Sequence, residues 1–260
     1  MITIIFGPPR IGKTAFMVYL LNKVAFDFER NRAMQRELEF KNANGFNLTI
    51  PKHCASANFE IEFRKMGYYP RKARIIDPKK LGFGGPDRQT HFVLPYETIG
   101  IMEAQEFFNS RKFAEFEPWQ SNFFEQHGHN HLDLLLDTQR PGLIDLNIRA
   151  LANFIEIRSL YVNFDKIGWF KNIVWTIRSF DNYGAVEEYM RSAKKDRSLY
   201  TQSRVISEQN VLKRYNSWSL EPKFYAGHLD KDFDLEYCKS FGPTKDDYKQ
   251  FLKDIEEKVA

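Results

Sequence analysis

The residues best suited to chemistry lie near the amino terminus, in the stretch GPPRIGKT that runs from Gly7 to Thr14. This stretch matches the pattern G-x-x-x-x-G-K-[ST], follows an apolar run that predicts a buried strand, and opens a run of helix-forming residues. Gly7 and Gly12 allow a tight turn, and the backbone amides together with the positive end of the helix bind a phosphate. Lys13 would reach the β- and γ-phosphates of a nucleotide, and the Thr14 hydroxyl would ligate Mg²⁺. The stretch therefore predicts a site for ATP with Mg²⁺.

Two prolines inside the loop change how it can hold a phosphate. Pro8 and Pro9 stiffen the turn and remove two amide donors, because proline has no backbone N–H. The predicted cradle therefore relies on the amides that follow, which belong to Arg10, Ile11, Gly12, Lys13 and Thr14. The alternative is a coincidental glycine-rich turn, but a chance match in the correct strand–helix context is rare.

A second stretch, TIGIMEAQ (98–105), ends an apolar run in Met102 and Glu103. P-loop ATPases hold the water shell of Mg²⁺ with an acid at the end of a neighbouring strand, and motor types often add a Glu that polarises the attacking water. Glu103 occupies the position of that Glu. Met102 stands where an aspartate is expected, and a thioether binds the hard Mg²⁺ ion poorly. The alternative is that Glu103 only begins a helix, predicted over residues 104–113.

A third apolar run, LDLLLDTQRP (132–141), ends in Asp137, Thr138 and Gln139. The carboxyl ends of parallel strands form the edge of the sheet where ligands bind. Gln139 therefore suits a γ-phosphate sensor that orients water. Asp137 could supply the missing carboxylate of the metal site, directly or through water. Its alternative role is to cap the turn at the end of the strand.

Strands alternate with helices through about residue 160, which predicts a parallel α/β core. Beyond residue 170, alternating aromatic segments favour antiparallel strands. The amphipathic tail at 244–260 predicts a terminal helix that Thr244 caps. Strands are predicted at 2–7, 97–102 and 131–137, and a helix is predicted over 13–40. Residues 66–90 are predicted to form a surface loop around one short strand. We expect an ATPase core at 1–165 and a β-rich extension at 166–260 that packs on it.

Composition limits the compartment and the partners. The net charge of +4 over 260 residues permits contact with nucleic acid or an anionic membrane without requiring it. The two cysteines predict a reducing compartment without a disulfide framework. No run approaches the ~20 apolar residues of a membrane helix, so a cytoplasmic protein is expected. The basic stretch at 71–80 could contact DNA phosphates or be an ordinary solvated loop.

Taken in order, these pieces resemble the zonula occludens toxin (Zot) family, which includes assembly ATPases of filamentous phages. The resemblance covers roughly residues 1–206 and rests on motifs that are more specific as an ordered set than the P-loop alone. They read GPPRIGKT, LPYETIGIMEAQEFFNSR, FFEQHGHNHLDLLLDTQRP, GLIDLNIRALANFIEIR and RSLYTQSRVI.

The resemblance implies an FtsK/HerA-like P-loop ATPase that acts as a homo-oligomer, expected to be a ring, in phage DNA handling, virion assembly or export. Its partners would be ATP, phage DNA or a DNA–coat complex, and membrane assembly proteins. By resemblance, Lys13, Thr14, Glu103 and Gln139 carry the nucleotide chemistry. The family arginines are matched by Arg111 and Arg149, either of which could complete the site of a neighbouring subunit or serve only in a structural ion pair.

Two departures from the family pattern leave other functions open. Met102 replaces the family's aspartate, so the chain could instead be a nucleotide-binding assembly or scaffold subunit with slow or no turnover. Many members also carry a membrane span and a periplasmic tail, which this sequence lacks, so any attachment to the inner face of the cell membrane is expected to be peripheral. A small-molecule phosphotransferase is a third reading, but the sequence has no recognisable lid with several arginines.

Overall fold

The structure is a computed structural model that describes residues 1–45, 49–81, 93–111, 118–192, 196–207 and 211–215. Its strands are β1 (Ile2–Phe6), β2 (Ala55–Ala57), β3 (Glu62–Phe63), β4 (Arg71–Lys72), β5 (Arg74–Ile75), β6 (Thr98–Ile101), β7 (Asp133–Thr138), β8 (Ala152–Phe164), β9 (Phe170–Phe180) and β10 (Thr201–Ser207). Its α-helices are α1 (Lys13–Ala25), α2 (Phe28–Ala43), α3 (Pro118–Gln126), α4 (Leu146–Ala150) and α5 (Tyr183–Arg191). The predicted terminal helix at 244–260 lies outside the described residues.

Most of these strands form one sheet in the order β10-β9-β8-β1-β7-β6-β2-β5. The strands from β8 to β5 are parallel to one another, whereas β9 and β10 are antiparallel to their neighbours. With the P-loop after β1, this arrangement is an α/β P-loop NTPase fold, as predicted. The proposed domain boundary after residue 165 falls in the turn between β8 and β9 and stays a prediction.

Helices cover both faces of the sheet because its central strands are apolar on both sides. Ile4 of β1 packs in a core with residues of α4 and α5, whereas Ile5 packs in a second core with α1. We call the side that α1 covers the α1 face. On this face Gly100 of β6 allows α1 to approach closely, because a Cβ there would lie 2.6 Å from Leu21 Cδ1.

Two of the predicted helices differ from the structure. The run 13–40 is not one helix: α1 ends at Ala25, and Asp27 begins α2 by accepting a hydrogen bond from the Arg30 amide at 3.1 Å. Over its described part, 104–111, the helix predicted over 104–113 is wrong, because no α-helix forms there and a 3-10 turn forms at Ala104–Glu106. Beyond it, the backbone of Asn109 bridges to that of Ile144. Tertiary contacts here override the helical propensity of the sequence.

The segment 66–90 is predicted as a surface loop around one short strand, and its described part, 66–81, contains two short strands, β4 and β5. Strand β5 joins the edge of the main sheet, and the buried Arg74 pairs with the buried Glu97 at a distance of 2.5 Å between Nη2 and Oε2. A charge is stable in such a position only when it is paired and hydrogen-bonded. Arg74 is therefore not available to DNA phosphates. Residues 82–92 of the predicted loop lie outside the described ranges.

A long hairpin of β8 and β9 extends beyond the end of β1, and β10 accompanies β9 as far as Ile173. Glu156 of β8 lies beside Phe6, the last residue of β1, so residues 157–164 run on by roughly 25 Å. At its tip, the exposed side chains of Phe164, Ile167 and Trp169 border an open groove of about 680 Å³. The groove is lined by Val162, Phe164, Ile167, Gly168, Trp169, Phe170 and Leu212.

Among the helices of the described ranges, none has both the length and the apolar character that crossing a membrane would require.

Candidate nucleotide and magnesium site

The P-loop is shaped by two glycines that lie against strand β8. Gly12 has a φ of +93°, and a Cβ there would lie 2.4 Å from Leu160 Cδ1. A Cβ on Gly7, which has a φ of +149°, would lie 2.9 Å from the carbonyl oxygen of Ile157. Both the positive φ values and the lack of space exclude a larger residue. The base of the hairpin therefore forms a wall for the loop.

Helix α1 begins directly after the second glycine and directs its amino terminus into the loop. The first N–H groups of an α-helix have no carbonyl in a preceding turn, so they are available to an anion. The Lys13 ammonium donates a hydrogen bond to the carbonyl of Pro8 at 3.1 Å, which holds it across the loop. Pro8, Pro9 and Arg10 are exposed, and Arg10 has a φ of +62°.

The carboxyl group of Asp137 connects three separate segments of the chain. Its Oδ2 accepts a hydrogen bond from the Thr14 hydroxyl at 2.7 Å, and its Oδ1 accepts one from the Glu103 amide at 3.0 Å. The residue is 0% exposed. Asp137 therefore joins the start of α1, the end of β7 and the turn after β6 in one partly buried polar cluster.

Burial changes the acidity of this carboxyl group. Removal from water raises the pKa of Asp137 from 3.8 to about 6, against the opposing effects of the bonds from Thr14 and Glu103 and of the Lys13 charge. The negative charge of Glu103 is a smaller cause in the raising direction. Above about pH 6 the group carries a buried negative charge that a bound cation would stabilise.

Asp137 and Thr14 form a donor set that fits Mg²⁺. Magnesium prefers hard oxygen ligands, and here a hydroxyl and a carboxylate oxygen lie 2.7 Å apart at the mouth of a phosphate loop. Met102 cannot contribute, because its thioether is buried among apolar side chains of the α1 face. Asp137 on β7, and not the residue at the end of β6, therefore lies beside Thr14.

Glu103 adopts an uncommon backbone conformation immediately after β6. Its φ of 50° and ψ of 46° lie in the left-handed region, and its carboxylate accepts a hydrogen bond from the Gln105 side-chain amide. Burial, and then the charge of Glu103, raise the pKa of Glu106. Glu103 thus lies beside Asp137 through its backbone while its side chain has a separate hydrogen-bond partner.

The other predicted residues occupy different positions. Gln139 is exposed two residues beyond Asp137, at the same edge of the sheet. Arg149 lies at the opposite edge, because it precedes the start of β8 at Ala152, which pairs with Ile2. Its guanidinium stacks 4.2 Å from the centre of the Tyr183 ring.

The structure thus brings Lys13, Thr14, Asp137 and Glu103 together. It does not bring Arg149 into the site of its own chain. Arg111 is exposed, and its amide donates a hydrogen bond to the Asn109 side chain. Functions for Gln139, Arg111 and Arg149 stay predictions.

Sequence reasoning missed two residues near the site. Asn58, just after β2, bonds to the backbone of Met102 through both ends of its side-chain amide. Tyr215 has a raised pKa, chiefly through burial and then through the charge of Asp137. Strand β2 has only three residues, too few to show a periodic pattern, so no local signal pointed to Asn58.

Comparisons with known proteins place the chain in a family. The N-terminal domain of zonular occludens toxin from Neisseria meningitidis shows 19% identity and a TM-score of 0.44, over 83% of this chain and 98% of that one. The genome packaging NTPase B204 of Sulfolobus turreted icosahedral virus 2, in complex with ATP-gammaS, shows 10% identity and a TM-score of 0.37, over 80% and 97%. No curated protein matches. The model of the family described as Zonular occludens toxin (Zot) matches residues 1–206, and the chain belongs to this family.

Proposed function

We propose that the chain binds ATP with Mg²⁺ and hydrolyses it, and that this hydrolysis drives the handling of phage DNA during virion assembly or export. The observation that carries the proposal is the 2.7 Å contact between the Thr14 hydroxyl and the Asp137 carboxylate, at the point where α1 meets the P-loop. Membership of the Zot family supports the role in phage assembly.

Each residue of the cluster has a defined task in this proposal. The amides at the start of α1 and the Lys13 ammonium bind the β- and γ-phosphates. Thr14 and Asp137 hold Mg²⁺, which neutralises negative charge on the phosphate oxygens when it is bound. Glu103 accepts a proton from the attacking water, and the Gln105 amide orients its carboxylate.

Gln139 and the arginines complete the proposed mechanism. Gln139, at the same edge as Asp137, orients the water toward the γ-phosphate. Arg149 lies at the opposite edge, so it can act only on the site of a neighbouring subunit, in a ring of identical chains. Arg111, which is exposed, is the second candidate for this role. The protein would work in the host cytoplasm, at the inner face of the cell membrane with assembly partners there.

A second function is favoured by the burial of Met102. If Asp137 alone cannot support rapid turnover, the chain is a nucleotide-binding scaffold subunit of the virion assembly machinery. In that case ATP binding orders the assembly and hydrolysis contributes little. The two functions share the binding site and differ only in the rate of the chemical step.

Steady-state ATPase assays and nucleotide binding by calorimetry test the proposal, with and without Mg²⁺ and DNA. The variants are Lys13→Ala and Glu103→Gln, and the matched control is Lys23→Ala, an exposed lysine at the far end of the same helix. We expect Lys13→Ala to lose binding and Glu103→Gln to retain binding while turnover falls on the order of 100-fold. The control should behave as wild type.

Three outcomes separate the alternatives. Stimulation of turnover by DNA supports a motor that moves DNA. Binding without turnover, with or without DNA, supports the scaffold function instead. Absence of nucleotide binding overturns both, and transfer of phosphate to a small acceptor would indicate a phosphotransferase.

A further inference from the structure

Asn58 links the edge of the sheet to the candidate catalytic turn. We propose that Asn58 is a positioning residue for the nucleotide site: its side-chain amide fixes the backbone at Met102 so that the following amide, that of Glu103, points at Asp137. The catalytic consequence rests on the proposed function, whereas the structural one does not.

The contacts of Asn58 extend the sheet by one residue beyond the end of β2. Its backbone amide donates to the Gly100 carbonyl at 3.1 Å, as a strand residue would. Its side chain then takes the place of the next residue in the ladder. Oδ1 accepts from the Met102 amide at 2.8 Å, and Nδ2 donates to the Met102 carbonyl at 3.1 Å. The side chain is buried, so both bonds form away from water.

This pair of hydrogen bonds matters because the backbone turns sharply at the next residue, Glu103. Glu103 adopts the left-handed conformation, which L-residues other than Gly and Asn rarely do. The turn is held on one side by Asn58 and on the other by the 3.0 Å bond from the Glu103 amide to Asp137. Loss of the first restraint would let the Met102–Glu103 peptide rotate and break the second.

The requirement is specific to a side-chain amide. Binding an N–H and a carbonyl of the same residue needs one acceptor and one donor on a short planar group, which asparagine provides. Aspartate at position 58 keeps only the acceptor when it is ionised, and alanine keeps neither. Asn58→Asp and Asn58→Ala therefore form a graded series.

Asn31 provides a matched control within the same chain. It is also buried and also binds backbone groups in both directions, since Oδ1 accepts from the Cys54 amide at 3.0 Å and Nδ2 donates to the Ala25 carbonyl at 3.2 Å. These contacts lie at the opposite edge of the sheet from Asp137. Asn31→Ala should therefore lower stability without changing the site.

Two measurements test the proposal on wild type, Asn58→Ala, Asn58→Asp and Asn31→Ala. The first is the hydrogen–deuterium exchange rate of the Glu103 amide in the nucleotide-free protein, from NMR. Exchange should be roughly 10-fold faster in Asn58→Ala, less so in Asn58→Asp, and unchanged in Asn31→Ala, because Asn58 holds this amide against Asp137. The second is kcat, which should fall roughly 10- to 100-fold in Asn58→Ala with a smaller change in KM.

The outcomes distinguish the two proposals. If Asn58→Ala and Asn31→Ala show the same Glu103 amide exchange rate and the same kcat, Asn58 has only a structural role and the inference is overturned. If Asn58→Ala does not fold, the same comparison with Asn58→Asp decides. If wild type has no turnover, the proposed function fails, and the Glu103 amide exchange rate alone still decides the role of Asn58.

Discussion

Strands β6 and β7 lie side by side and end at the same edge of the sheet, yet they present different chemistry there. Ile101 of β6 pairs with Leu136 of β7. The next residue along each chain segment, Met102 and Asp137, therefore lies at the same level. Both residues lie on the α1 face. Met102 packs among apolar side chains, whereas Asp137 receives hydrogen bonds from two other segments.

The difference indicates that the residue that can supply the proposed metal carboxylate is set by its position in space rather than by its position in a motif. β7 pairs directly with β1, and β6 is one strand further away. A carboxylate at the end of β7 therefore reaches Thr14 without an intervening strand, as the 2.7 Å contact shows. In this chain the β6 end can be apolar because the β7 end is acidic.

The largest expected effect comes from removing the β7 carboxylate. Asp137→Ala should reduce Mg²⁺-dependent ATP turnover on the order of 1,000-fold, because the proposed metal site loses its charged ligand. Met102→Leu, a change of similar volume on the neighbouring strand, should leave turnover near that of wild type. Assays across a range of Mg²⁺ concentrations check both. Equal losses in the two variants would contradict the assignment of the carboxylate to β7.

Placing a second acid on β6 should cost stability. Met102→Asp buries another carboxyl group beside Asp137, and we expect a loss of about 4 kcal/mol in the free energy of unfolding. Urea unfolding of Met102→Asp, Asp137→Asn and the double variant measures the interaction between the two sites. The double variant should be less destabilised than the sum of the two single variants. A strictly additive result would mean that the two side chains do not interact.

The smallest effect concerns pH in the absence of ligands. The folded protein holds the Asp137 proton up to about pH 6, whereas the unfolded chain releases it near pH 3.8. The contribution of Asp137 to stability is therefore complete below pH 3.8 and is lost as the pH rises through 6, by about 3 kcal/mol. Asp137→Asn should remove this slope and be more stable than wild type at pH 8. Urea unfolding at pH 5 and 8 checks it, and parallel curves would contradict the raised pKa.

The sequence predicted the parts of the site that are local in the chain. Three apolar runs, those of β1, β6 and β7, each end in polar residues, and the run of β1 ends in the P-loop. Each can be recognised without knowledge of the rest of the chain. The topology rule for parallel strands then brings Glu103 and Asp137 to one edge. The sequence alone does not decide whether Asp137 contacts Thr14, because this contact depends on the order of the strands in the sheet.

What could not be predicted depends on contacts between distant segments. The buried Arg74 reads as one more basic residue of a loop, since its partner Glu97 is 23 residues away. Asn58 follows a strand too short to recognise. The run 104–113 has good helix formers, but the bridge from Asn109 to Ile144 favours a turn. In each case a non-local partner decides the local structure.

The hairpin beside the P-loop also carries two tryptophans whose fluorescence can be told apart. Trp169 in the turn at the tip is 72% exposed, whereas Trp175 on β9 is 0% exposed and packs against Phe16 and Tyr19 of α1. The first indole should emit at long wavelength and be quenched by acrylamide, and the second should do neither. With Trp119→Phe and Trp218→Phe as background, fluorescence would separate events at the tip from events at the helix that carries Lys13 and Thr14.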